Sequence, residues 1–409
     1  MDSINTDILV IGGSANGSQA AMTASADSVK TLVIEEHSQI GYPEHCSGLF
    51  SYEGLKQIDS FPPRSVILNH NVKGAYIYSP SLRLLEVKKS SPHAIVVDRA
   101  KFDQFLAQKA MKQGADYLLN HKAINILRKN NKWIIHVLDK KSGKNKKIIS
   151  KMVIDAEGHR RTIAKRIGLV KKEKRVFVNA AQFYYKNVDN LNIEMVELFQ
   201  TQKYAKGFFG WIIPINQDQA KIGLGTLELN AAKKLEKMVS EHFILKNKLE
   251  NAYIYRKTAG RIPVDGPVKK TYTKGFLLIG DAAGQTKPTT GGGVILGGIA
   301  SRIAGKIAAE AIKKQNYSEK FLRRYQKEWK RQIGKNLLVM RWVRNYLNNL
   351  SDNTVDELFE ILLKDRVKSK IEKIGHVDQQ IKIVLSLLLE PSLLPFYIKT
   401  SPQLLQALL

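Results

Sequence analysis

Hydrophobic positions fall in short solid runs near the start of the chain and pass to alternating, then helical, spacing further along. Thr6 to Ile11 (TDILVI) is a run of apolar and β-branched residues, the pattern of a strand covered on both faces in a parallel sheet. Gly12, Gly13 and Gly17 interrupt it, Ser18 to Asp27 reads as an Ala-rich helix, and Thr31 to Glu35 (TLVIE) as a second buried strand. Strand, glycine turn, helix and strand in that order make a βαβ opening.

Val72 to Val97 alternates and reads as strands, whereas Arg99 to Lys112 has its apolar residues at helical spacing. Strands return after Gly114, including Lys132 to Leu138 (KWIIHVL). The lysine-rich stretch Lys140 to Lys147 reads as a solvated hairpin tip ahead of a buried strand at Met152 to Ile154. Val176 to Leu229 is strand-like and aromatic around FFGWIIP, which predicts a second sheet inserted into the nucleotide domain. Gly275 to Gly280 (GFLLIG) is one more buried strand, and a long Ala- and Gly-rich helix follows Gly292. From about Gln315 the chain is helical, basic and apolar by turns, and no internal repeat or low-complexity linker is visible. The predicted class is α/β. A Rossmann-like nucleotide domain (1–70, 96–175, 262–315) carries an inserted antiparallel-sheet substrate domain (71–95, 176–261) and a helical C-terminal region (316–409).

The 409 residues carry 65 Lys and Arg against 37 Asp and Glu, a formal charge of +28, and such a field attracts anionic partners. Nucleic acid, an anionic membrane surface and a phosphorylated substrate all answer to it. The recognised basic-and-aromatic nucleic-acid motifs are absent, so no nucleic acid is expected. Cys46 is the single cysteine, which excludes a disulfide within the chain and points to a reducing compartment. The opening MDSINTDILVIGG shows no secretory signal, and no apolar run approaches the ~20 residues that cross a bilayer. The expected location is cytoplasmic, with peripheral contact to an anionic membrane. Arg323, Arg324, Lys327, Lys330 and Arg331 lie close to apolar positions, a pattern that suits a helix resting on lipid or one packed on the nucleotide domain. No metal is expected.

Gly12-x-Ser14-x-x-Gly17, with Ala15 and Asn16 inside it, lies where strand meets helix. Dinucleotide folds turn backbone N–H groups and a helix N-terminus toward a pyrophosphate at that place. Ser14 stands where the usual pattern has its second glycine. Glu35, with Glu36 beside it, ends the second strand about twenty residues on, where an acid accepts hydrogen bonds from an adenosine ribose.

Val153 to Gly158 (VIDAEG), Leu278 to Gly284 (LIGDAAG) and Pro288 to Gly293 (PTTGGG) resemble the Asp-x-x-Gly and Gly-Asp elements of flavoproteins with the aromatic-hydroxylase fold. The resemblance implies an FAD-binding domain of the glutathione-reductase type, with Asp281 on the ribityl chain. Gly292, Gly293 and Val294 would offer backbone N–H groups and a helix N-terminus to the reduced ring. It also implies that Arg99 contacts FAD and that Ala123 faces the adenine.

Ile40 to Gly48 (IGYPEHCSG), Val72 to Pro80 (VKGAYIYSP), Phe208 to Pro214 (FFGWIIP) and Glu390 to Leu394 (EPSLL) are similar, in that order and over nearly the whole chain, to segments of the archaeal geranylgeranyl reductases. Those enzymes saturate isoprenoid double bonds of membrane-lipid precursors, so the resemblance implies an FAD-dependent reductase acting on a polyprenyl (phospho)lipid. It places Cys46, flanked by Ser47 and Gly48, beside the flavin, and makes Cys46, Trp211 and Phe209 the catalytic candidates. The family's Tyr-x-Trp-x-Phe-Pro motif reads Phe209-Gly210-Trp211-Ile212-Ile213-Pro214 here, so Phe209 lacks the usual hydroxyl. No second dinucleotide loop is visible, which leaves a nicotinamide or a ferredoxin-like protein as electron donor. The rival is a flavin-dependent halogenase or monooxygenase of the same fold, because Phe209-x-Trp211-x-Ile213-Pro214 also resembles the halogenase signature Trp-x-Trp-x-Ile-Pro. That reading needs a lysine over the substrate, and Lys73 is its candidate. An electron-transfer flavoprotein with an iron–sulfur cluster needs several cysteines and has one.

Overall fold

The computed structural model describes residues 3–26, 28–171, 175–375 and 378–408; the expected end of the first helix at Asp27 lies outside them. The solid apolar runs became parallel strands. Phe276–Leu278, Asn145–Asp155, Ser3–Ile11, Thr31–Ile34 and Ala115–Leu118 lie side by side in that order, all parallel. Successive residues of one strand serve opposite faces. Ile8 and Val10 join one core with Val33 and Ile154, while Leu9 and Ile11 join another with Leu32, Ile34 and Val153. Helices α1 (Ala15–Ser25) and α2 (Arg99–Lys112) belong to the first face. The hairpin expected around residues 140–147 turns at 140–144, between strands Lys132–Asp139 and Asn145–Asp155.

The inserted sheet has seven strands, in the order Tyr253–Pro263, Phe177–Lys186, Ala220–Thr226, Gly210–Pro214, Met195–Phe199, Gly74–Tyr78 and Leu84–Lys88. It is antiparallel except at one seam, where Met195–Phe199 runs parallel to Gly74–Tyr78. A long crossover delivers the late strand beside the early hairpin, which alternation along the chain does not reveal. A third, three-stranded sheet joins Leu49–Ser51, Ala94–Val97 and Ile67–Val72, so the region read as 71–95 is shared between two sheets. Helix α3 (Ala231–Glu241) covers the far side of the seven-stranded sheet through Leu235 and Met238, against Phe183, Ile212 and Leu224.

The predicted long helix is α4 (Val294–Lys313). Next comes α5 (Glu319–Trp329), whose Leu322, Tyr325 and Trp329 are fully buried in the nucleotide-domain core. The Tyr325 hydroxyl donates to the Leu278 carbonyl at 2.8 Å, and Arg324 pairs with Glu310 of α4 at 2.8 Å. The apolar stripe of α5 is therefore spent on its own domain, and of the two readings of this basic segment the packed helix is the one formed. A π-helical turn leads into α6 (Lys335–Asn348), and after residue 378 come α7 (Ile381–Leu388) and α8 (Leu394–Lys399). No single helix among the described residues is long and apolar enough to cross a membrane.

Candidate active site between the sheets

The glycine loop joins Ser3–Ile11 to α1. A Cβ on Gly17 would stand 1.8 Å from the Gly12 carbonyl oxygen, so the helix meets the turn only with glycine there. The Gly13 N–H donates to one oxygen of Glu35 at 2.8 Å, and the His37 N–H to the other at 3.0 Å. Glu36 instead pairs with Lys122 and Arg160, at 3.1 and 3.3 Å. Burial opposes its charge, but these cations and His37 hold its carboxyl below the usual range. Ala123 sits next to Lys122 on the strand His121–Lys129, so that strand walls the same end.

Asn16 is wedged between two distant segments: a Cβ on Gly280 would meet its Nδ2 at 2.6 Å and one on Gly297 at 2.4 Å. Its Oδ1 is buried without a partner among the described residues. Asp281 lies across from Gly293, whose added Cβ would stand 2.9 Å from Oδ1, and the Gly292 carbonyl accepts from the Lys287 N–H at 3.1 Å. Neither α1, behind Ser14 and opening at Ala15, nor α4, behind Gly293 and opening at Val294, has a side-chain cap or an acid in its first turn. Two uncapped helix N-termini, an orphaned buried acceptor and a carboxylate at a strand end fit a dinucleotide with phosphates and hydroxyls. The residues present fit FAD.

Cys46 is half-buried and accepts the Gly48 N–H at 3.4 Å. Arg99, at the start of α2, forms a bidentate pair with Asp103, 3.0 and 3.1 Å. Burial opposes its charge, yet Asp103 beside it keeps the guanidinium firmly charged. The Ser47 carbonyl is held from the opposite side by Lys221, a fully buried side chain of the inserted sheet. Its Nζ donates to Ser47 O at 2.6 Å and to Val97 O at 3.1 Å. Burial pushes the Lys221 ammonium down to about 8. Tyr184 stands opposite Lys221 in the strand register and donates to Glu44, which pairs with Arg256 at 2.8 Å.

The same sheet face continues into a packed apolar cluster. Phe208, Trp211, Ile213, Val178 and Val196 pack there, with Phe209, Leu198 and Ile262 at its margin. Trp211 donates from Nε1 to Gln182 at 3.1 Å and lies over Gly223, where a Cβ would meet its ring at 2.5 Å. Gly225 leaves the same space for Phe208, which stacks on Phe209 at 4.2 Å. Arg344 of α6 ties this aromatic turn to the loop expected to hold flavin, donating to Gly207 O at 2.8 Å and Pro288 O at 3.3 Å. Burial with no carboxylate partner among the described residues pushes Arg344 down to about 10. Arg344→Leu would orphan both carbonyls at ~1–3 kcal/mol each. The net loss is expected to be about 2 kcal/mol in chemical denaturation, with faster proteolysis at 207–209.

Lys73 pairs with Glu194 at 2.5 Å, and Lys88 takes the other oxygen at 2.9 Å, so its ammonium is engaged by that acid. Sequence reasoning missed Lys221, Tyr184, Glu44, Arg256 and Arg344. The one available signal was Lys221 itself, a lysine set between buried residues in AKIGLG.

A family model described as lycopene cyclase protein matches residues 7–384. The digeranylgeranylglycerophospholipid reductase of Methanocaldococcus jannaschii is 34% identical over 361 residues, covering 87% of this chain and 90% of that protein. A geranylgeranyl bacteriochlorophyll reductase-like structure from Thermoplasma acidophilum superposes with a TM-score of 0.86 at 26% identity, covering 99% of this chain and 100% of the other. A flavin-dependent brominase shares the fold, with a TM-score of 0.68 at 17% identity over 90% of this chain and 92% of its own. The identity and coverage with the reductases mean that this chain belongs to the digeranylgeranylglycerophospholipid reductase family.

Proposed function

We propose that the chain is an FAD-dependent oxidoreductase that saturates isoprenoid C=C bonds of geranylgeranyl lipids. The observation that supports this reading is the packing of the glycine turns suited to a dinucleotide beside an apolar aromatic cluster, bridged by Arg344 to the loop at 288. Bound FAD, once reduced, would supply the hydride. The protein's part is to hold an unactivated alkene still and dry, because such a double bond offers no polar handle. Trp211, Phe209, Leu198 and Ile262 exclude water around the chain, and Gln182 fixes the indole. Cys46 holds a proton at Sγ for the carbon that does not receive hydride, and Arg99 and Lys221 fix the backbone and charge about it. One hydride and one proton, together two electrons and two protons, then enter the alkene for each bond saturated. The electrons are proposed to come from a transiently bound nicotinamide or a ferredoxin-like protein.

The test is mass spectrometry of digeranylgeranylglycerol phospholipid and geranylgeranyl diphosphate incubated with the FAD-loaded protein and dithionite. A gain of two hydrogens per double bond supports the reading. Unchanged lipids beside a bound, reducible flavin would move the weight to halogenation or oxygenation, although the engagement of Lys73 by Glu194 speaks against the halogenase. Phe209→Tyr restores the hydroxyl of the family motif and is expected to leave the rate within about threefold, because the ring contacts that shape the cluster remain. Trp211→Leu removes the indole and its bond to Gln182, and should slow reduction at least about tenfold in the same assay.

A further inference from the structure

Helix α7 reads IKIVLSLL, and none of its residues is buried. Around it Leu385 is 52% exposed, Leu389 83%, Leu394 58% and Ile398 67%. A contiguous apolar surface of this kind marks an interface. Ile381–Leu388 and Pro391–Lys399 meet at a bend of 72°, and by length and composition the pair is apolar enough for a membrane though neither helix could cross alone.

Two further observations say what covers the surface. Its rim is basic: exposed Lys364, Lys373 and Lys382 form no ion pair among the described residues, whereas Arg366 and Lys370 both answer Glu390. Glu390 is the one acid from Ile381 onward. A second copy docking about a two-fold axis would set this basic rim against itself, whereas an anionic headgroup layer above acyl chains complements both charge and apolarity. The surface also adjoins the site. Just ahead of α7, Asp378 pairs with Lys287 at 2.8 Å and Gln380 accepts from Thr289 at 2.9 Å, both in the loop expected to hold flavin.

We propose that the corner between α7 and α8 anchors the enzyme in an anionic bilayer, with the leucines among acyl chains and Lys364, Lys373 and Lys382 among headgroups. The anchor lets a lipid pass from the bilayer to the aromatic cluster without crossing water. Its purpose rests on the reductase reading, but binding itself does not.

The test is co-sedimentation of the FAD-loaded protein with vesicles of phosphatidylcholine alone and of phosphatidylcholine mixed with phosphatidylglycerol. The native protein is expected to bind the mixed vesicles at least about tenfold more tightly. A Leu385→Glu/Leu389→Glu double variant should lose about tenfold or more on the same vesicles with its flavin content and melting temperature unchanged. Equal binding by that variant overturns the proposal. So does a native dimer by light scattering that the double variant makes monomeric while native protein ignores vesicles, since the surface then joins two copies. Vesicle binding without alkene reduction would refute the reductase reading and leave the anchor standing. Reduction of detergent-dispersed lipid without vesicle binding would do the reverse.

Discussion

Methionine in place of Lys221 is expected to slow alkene reduction by about a hundredfold, the scale of loss that a displacement of ~1 Å causes in a positioned site. The Nζ of Lys221 holds the Ser47 and Val97 carbonyls, and so fixes both the Cys46 turn and the strand it closes against. Methionine fills the space and releases both. The substitution also has a signature in stability. Burial lowers the Lys221 ammonium from its usual 10.5 to about 8, with Glu44, Cys46 and Asp98 only partly offsetting it. Between those values the unfolded chain binds more protons than the folded one, so unfolding free energy rises with pH, by up to ~1.4 kcal/mol per unit. The cost of burying the charge is full below about pH 8 and gone above about 10.5. Native protein should therefore gain on Lys221→Met as pH climbs through that window. Parallel melting temperatures for the two proteins across it would show that Lys221 does not titrate as argued.

Gly17→Ala is expected to leave the purified protein without flavin, an affinity loss of about two orders of magnitude or more. The added methyl would stand 1.8 Å from the Gly12 carbonyl oxygen, and that backbone atom can retreat only by opening the turn at the N-terminus of α1. Flavin absorbance and circular dichroism of the same sample separate lost binding from lost fold. Ser14→Gly gives the converse. Ser14 caps α1 without a side-chain hydrogen bond, so glycine there should retain FAD, with titration giving equal or tighter binding.

The nucleotide domain was legible because its strands are buried on both faces, and TDILVI and TLVIE advertise that by having no polar side. The glycine turn between strand and helix was legible because a Cβ on Gly17 has no room there. Sequence did not reveal the parallel seam between Met195–Phe199 and Gly74–Tyr78, because a crossover depends on where the chain returns rather than on local pattern. Helix α3 lies just beyond the strand-like stretch Val176 to Leu229 and was not singled out, although Leu235 and Met238 stand at helical spacing. The basic stretch after Glu319 fitted a lipid-facing helix and a packed one equally, and only the burial of Leu322, Tyr325 and Trp329 decides between them. Arg344 was hidden by number: among 65 basic residues, nothing local distinguishes one that reaches inward to a carbonyl from one that reaches out to water, whereas Lys221 stood out only by its apolar neighbours in AKIGLG.

The contacts of Asp378 with Lys287 and of Gln380 with Thr289 each span 91 positions. A ribosome therefore completes the loop around 287–289 long before the residues that brace it have emerged. During synthesis that loop stays unbraced on this side until residues 378–380 have left the ribosome. A nascent chain stalled before α7 would carry a formed parallel sheet without the brace on the loop at 287–289.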